Sequence, residues 1–90
     1  MHYAFDPKKN AINVAKHGVF FSAADDFDWE TAIVAVDSRK QHGEPRLVAV
    51  GLVGDRVHVM VFTLRTTTVR LISLRRANRR EVRSYVESQD

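Results

Sequence analysis

Apolar and polar residues alternate most regularly between Arg56 and Arg76, where RVHVMVFTLR and TVRLISLRR flank two threonines. Two period-2 runs rich in Val, Ile, Thr and Phe, joined by a short polar turn, predict a β-hairpin at the centre of a sheet. Upstream, Arg46 to Val53 predicts a strand that reaches the hairpin through Gly54-Asp55, a pair suited to a two-residue turn. Ala32 to Asp37 predicts another strand, His2 to Phe5 a short edge strand, and the polar stretch SRKQHGEP after Asp37 an exposed loop. Thr66-Thr67 is poor chemistry for a tight turn, since neither residue favours positive φ, so a four-residue loop from Arg65 to Thr68 is expected.

These turns fix a register. Val50 falls opposite Val59, Val48 opposite Val61 and Arg46 opposite Thr63. Across the second turn, Val61 falls opposite Ile72, Thr63 opposite Arg70 and His58 opposite Arg75. One face then holds Val48, Val50, Val57, Val59, Val61, Ile72 and Leu74, with Arg46, Thr63, Arg65 and Arg70 at its end. Leu47, Met60, Phe62, Val69 and Leu71 make the other face apolar too, so both must be covered, by helices of the chain or by a partner.

Helix signals lie on either side of the strands. Asp6-Pro7 supplies an N-cap and a first helical residue with preset φ, and Gly18 suits the left-handed residue after a helix end. Between them, Ala11, Ile12, Val14 and Ala15 offer a narrow apolar face. Ser22 with Asp25 resembles a capping box for a second, shorter helix, AADDFD, anchored by Phe27 and Trp29. Asn78 with Glu81 is a capping box for a last helix from about Arg79 to Ser88, whose Val82, Tyr85 and Val86 share a face. The sum is an α+β fold in one domain, residues 1–90: a small antiparallel sheet with two N-terminal helices and one C-terminal helix.

Composition narrows the function. With 44% hydrophobic and 28% charged residues the chain has the make-up of an ordinary globular domain, and it holds no apolar run near the roughly 18 residues of a membrane span. A signal peptide is not evident in MHYAFDPKKN, and cysteine is absent, so a cytoplasmic location without disulfides or thiolate chemistry is expected. Residues 1–45 carry 5 Lys or Arg against 7 Asp or Glu, a balance of −2, and residues 46–90 carry 9 against 4, a balance of +5. Every cation in the second half is Arg, whose planar fork grips phosphate oxygens in pairs, which favours a polyanionic partner such as nucleic acid, although composition alone fits a solvated basic face about as well.

The histidines His2, His17, His42 and His58 lack metal-binding spacing, and no Gly-rich phosphate loop or nucleophile elbow occurs, so no metal or cofactor is expected. RNA can be cut without metal when its own 2′-OH attacks the adjacent phosphate. The protein then assists proton removal, protonation of the leaving oxygen and charge stabilisation in the transition state. Arg65 and Arg70 suit the third task, and His17 or Lys16, at a helix C-terminus, the proton transfers. Plainer roles stand beside these. His17 before Gly18 also suits a helix-capping role, Arg75 and Arg76 can pair with Glu81 or Glu87, Arg70 can serve a structural ion pair, and Tyr85 fits a core position. A non-catalytic, Arg-rich module binding nucleic acid or an acidic partner is the alternative function.

The order Phe5-Asp6-Pro7-Lys8, Lys16-His17-Gly18, Phe20 to Phe27, Arg70 to Ala77, and Glu81 with Tyr85 resembles BrnT toxins over nearly the whole chain. That resemblance implies a RelE-like ribonuclease fold and a metal-independent endoribonuclease that inhibits translation as the toxin of a type II pair. It also implies an RNA substrate and a BrnA-like antitoxin, through which alone the pair reaches operator DNA. Lys16, His17, Arg65, Arg70, Ser73, Arg75, Arg76, Glu81 and Tyr85 match the family's polar motif. Catalysis is expected from His17, Lys16, Arg65 and Arg70, and RNA binding from Arg46, Arg75, Arg76 and Tyr85.

Overall fold

His2–Ala4 (β1), Ile33–Asp37 (β2), Arg46–Val53 (β3), Arg56–Arg65 (β4) and Thr68–Arg76 (β5) form one sheet in the order β1-β5-β4-β3-β2, in a computed structural model that describes residues 1–37 and 43–90. Positions 38–42 of the expected polar loop lie outside the described residues. The hairpin of β4 and β5 supplies the centre, as its alternation predicts. The sheet is not the antiparallel RelE-like one expected, however, because β1 runs parallel to β5 while the other neighbours are antiparallel. No tight turn links β1 to β5, so nothing forces the antiparallel direction at that edge.

The helix count is corrected as well. Only Pro7–His17 (α1) precedes the sheet as an α-helix, and Arg79–Ser88 (α2) follows it. The expected second helix is a 3-10 helix, Phe21–Asp26, without a side-chain cap. Its three-residue turn explains the choice: Phe21, Ala24 and Phe27 recur at every third position and are all buried, a spacing that a 3.6-residue turn would spread around the axis. Phe27 and Trp29 then anchor the segment. Their rings meet edge to face at 4.8 Å, Trp29 meets Phe62 at 5.5 Å, and the Trp29 indole donates to the Tyr3 hydroxyl at 2.7 Å. Gly51 makes room for this cluster, since a Cβ there would stand 2.7 Å from Cζ of Phe27.

These groups cover one face of the sheet, over Ala49, Met60, Phe62, Val69, Leu71 and Leu74. α1 contributes to this layer unexpectedly. Asp6 caps it and Gly18 ends it at φ 72°, as the sequence predicts, but the expected apolar face is largely exposed, with Ile12 64% accessible. Its one buried residue is Asn13. The Asn13 amide donates to the carbonyls of Val19 at 2.9 Å and Leu74 at 2.7 Å, and its oxygen accepts from the Leu74 N–H at 3.1 Å. Asn10 adds a bond from the Phe21 N–H at 2.8 Å. Polar contacts therefore fix the helix where apolar ones were expected.

The Thr66-Thr67 turn is tight after all, with Arg65 paired to Thr68 and Thr66 at φ 54°, a conformation costly for a β-branched residue. Asn13→Ala is expected to leave three buried backbone groups without partners and to lower stability by roughly 2–4 kcal/mol. Urea unfolding measures it. Asn13→Asp should fail to restore the loss, because a carboxylate cannot donate to the two carbonyls.

Candidate active site

The pairing of β4 with β5 shifts midway. Thr63 faces Arg70 and Phe62 faces Leu71, but Val61 then faces Ser73 and His58 faces Arg76, not Ile72 and Arg75 as expected. Ile72 is thus the extra residue of a β-bulge. The shift turns Leu74 into the core, where it is fully buried, and brings Ser73 and Arg75 to the same face as Arg70. A regular strand would have sent Arg70 and Arg75 to opposite faces.

That second face is only partly covered. α2 lies over one end, fastened by its capping box, by the buried Tyr85, whose hydroxyl meets that of Thr31 at 2.7 Å, and by Arg75. Arg75 grips Glu81 with both guanidinium nitrogens at 2.8 Å, and the same carboxylate accepts from the Asn78 N–H at 2.8 Å. Beyond α2 a groove of about 510 Å³ remains, floored by Val48, Val50, Val59 and Val61 and bordered by Asp37, Ser73, Arg75 and Glu81. In the register, Asp37, Arg46, Thr63 and Arg70 form one row across this face.

A second cavity of about 250 Å³ lies round the edge of β5, between Ile72 and Ser73 on the strand and Lys9, Ile12, Asn13, Lys16 and His17 on α1. Ser73 lines both spaces. One residue therefore lies between the Arg-bearing face and the end of α1 that carries Lys16 and His17.

The remaining expected site residues lie apart. Arg65 stands at the sheet corner in a fork with Glu44, with contacts of 2.7, 2.9 and 3.2 Å. Arg76 lines a separate cavity with Asp55, Arg56, Val57, Ala77 and Val82. Tyr85 is 4% accessible and points into Thr31. Among the described residues, Arg46, Arg70, Lys9 and Lys16 are held by no ion pair.

The model of one family, ribonuclease toxin, BrnT, of type II toxin–antitoxin system, matches residues 5–81. The chain belongs to the BrnT family. It is accordingly a ribonuclease toxin of a type II pair, with RNA as substrate and an antitoxin as partner. A search of curated proteins found no match. No helix among the described residues is long and apolar enough to cross a membrane.

In this BrnT chain the sequence reading missed three residues that shape the site: Lys9, Asn13 and Glu44. Lys9, Asn13 and Lys16 are spaced four and three apart, which sets them on one helix side, and an Asn between Ile12 and Val14 interrupts the apolar pattern. Both signals were present. Glu44 had none, because only the sheet corner brings it to Arg65.

The two carboxylates respond to their arginines. Hydrogen bonding from Arg65 holds Glu44 below the usual glutamate range, and Glu44 in turn raises Arg65. Arg75 does the same to Glu81, aided by the Asn78 N–H and opposed by partial burial. Because Glu81 titrates lower in the folded chain than in the unfolded one, its stabilisation is complete above the usual carboxylate range and is lost as pH falls through the lowered value. Solvent reaches the pair, so Glu81→Gln is expected to cost about 1 kcal/mol near neutrality. In urea unfolding that gap from wild type should close in acid; a gap constant with pH would assign the effect to packing.

Proposed function

We propose that the chain is a metal-independent endoribonuclease that inhibits translation in the cytoplasm and is neutralised by a BrnA-like antitoxin, through which the pair reaches operator DNA. The 2′-OH of the substrate attacks the neighbouring phosphorus and the bond to O5′ breaks, leaving a cyclic phosphate and a free 5′-OH. His17 and Lys16 handle the two protons, one accepting from the 2′-OH and the other donating to O5′. Arg70 faces the extra negative charge of the transition state.

Arg75, held rigid by Glu81, and Arg46, in the row of Arg70, position flanking phosphates. Arg65 joins them by exchanging the Glu44 carboxylate for a phosphate. Arg76, which lines a separate cavity, suits a phosphate farther along the strand, and Tyr85, buried against Thr31, seats α2.

The observation that supports this function is that Ser73 borders both the cavity lined by Lys16 and His17 and the groove lined by Arg75, on the sheet face to which the register assigns Arg70, in a chain of a ribonuclease family. Arg70 makes no ion pair among the described residues, though its charge helps Arg65 hold Glu44 low.

Purified, partner-free protein incubated with total RNA in excess EDTA is expected to cut it. Arg70→Ala should slow cleavage by about 10²-fold or more without changing the melting temperature by more than a few degrees. RNA left whole by folded wild type, yet bound in a salt-sensitive way, would favour the Arg-rich binding module instead.

A further inference from the structure

The cavity at the edge of β5 differs from the Arg face beside it. Its lining combines the aliphatic residues Ile12 and Ile72 with the basic residues Lys9, Lys16 and His17. Asn13, also in the lining, has no donor to spare, since both amide hydrogens are given to carbonyls. The lining therefore offers apolar contact and positive charge side by side. Two of those features are unusual in themselves. Ile12 is 64% accessible on a helix that buries no apolar residue, and Ile72 is the bulge residue, released from the alternation that assigns its neighbours to a face.

A ligand that fits has a flat apolar part carried on an anionic chain, which is the make-up of a nucleotide. At about 250 Å³ the cavity is below the usual range for a drug-sized ligand, and suits a single base. Bases taken out of a stack are commonly held between aromatic or apolar side chains. With the base in this cavity, a phosphate of the same nucleotide at Ser73, which the groove shares, would face Arg75, and Lys9 would meet the phosphate on its other side.

Resting on the nuclease function proposed above, we infer that this cavity seats one nucleobase beside the cleaved bond, and that Lys9, Ile12 and Ile72 set which base is preferred there. The residues that would contact the base, Ile12 and Ile72, are distinct from Lys16 and His17, which border the same cavity and carry the proton transfers.

Isoleucine methyl NMR tests it directly, since the chain has Ile12 and Ile72 at the cavity and Ile33 on the far edge strand as a reference. The probe is an all-deoxy tetranucleotide, which lacks the attacking hydroxyl and cannot be cut. Its binding should shift the methyls of Ile12 and Ile72 but not of Ile33, and an abasic tetranucleotide with the same phosphates should not. Equal shifts from the abasic strand would overturn the base seat and leave only phosphate binding on the lysines.

Mapping of cleavage ends across a random RNA pool gives the second readout. Ile12→Ala, a change at an exposed position that should spare the fold, is expected to flatten the preference at one position flanking the cut by about tenfold. An unchanged preference in a variant that still cuts would also overturn it. Wild type that cuts nothing but shows base-dependent methyl shifts would reject the nuclease function and keep the base seat.

Discussion

One buried amide decides the geometry of this molecule. Asn13 binds the N–H and the carbonyl of Leu74 together, on the outer edge of β5 beyond the stretch paired with β1, and ties the Val19 carbonyl to the same point. Backbone groups on a sheet edge otherwise face solvent, and buried ones without partners cost about 1–3 kcal/mol each. A helix that supplies both partners from one side chain can close over that edge without being a strand. It also fixes where α1 ends, and hence where Lys16 and His17 stand.

The bulge at Ile72 is the complement of that clamp. It lets Leu71 and Leu74 both enter the core although they are three residues apart, and it gathers Arg70, Ser73 and Arg75 on the opposite face. Core packing and cation placement are thus met by the same irregularity. Arg75 converts the arrangement into a seat for α2: its fork to Glu81 engages a carboxylate that already completes the helix cap, so one anion serves the helix terminus and the sheet at once. Neither partner is fully buried, which limits the energetic worth of the pair and leaves orientation as its main effect.

Coverage of the two faces is unequal. Aromatic residues from the N-terminal third seal one, whereas α2 shields only part of the other and leaves an apolar floor beside Arg75. β2, at the sheet edge, adds exposed Ile33, Val34 and Val36. An isolated chain thus presents apolar surface next to concentrated positive charge, consistent with a toxin family whose members have both an RNA substrate and an antitoxin.

Local rules in the sequence determined the strands, the β3–β4 register, the limits of both α-helices and the caps at Asp6, Gly18 and Asn78, because each depends on residues a few positions apart. The Arg content of the second half and the motif order that marks the BrnT family were legible in the same way. Tertiary structure alone decided the rest. Whether 21–26 became an α-helix or a 3-10 helix depended on burying Phe21, Ala24 and Phe27 together. The parallel seat of β1 depended on an edge left open by distant strands. The bulge at Ile72, which reverses the facing of Ser73, Leu74 and Arg75, adjoins a Leu74 held by Asn13 from 61 residues away in the chain. Alternation predicts faces only while a strand stays regular, and contacts far apart in sequence decide where it does not.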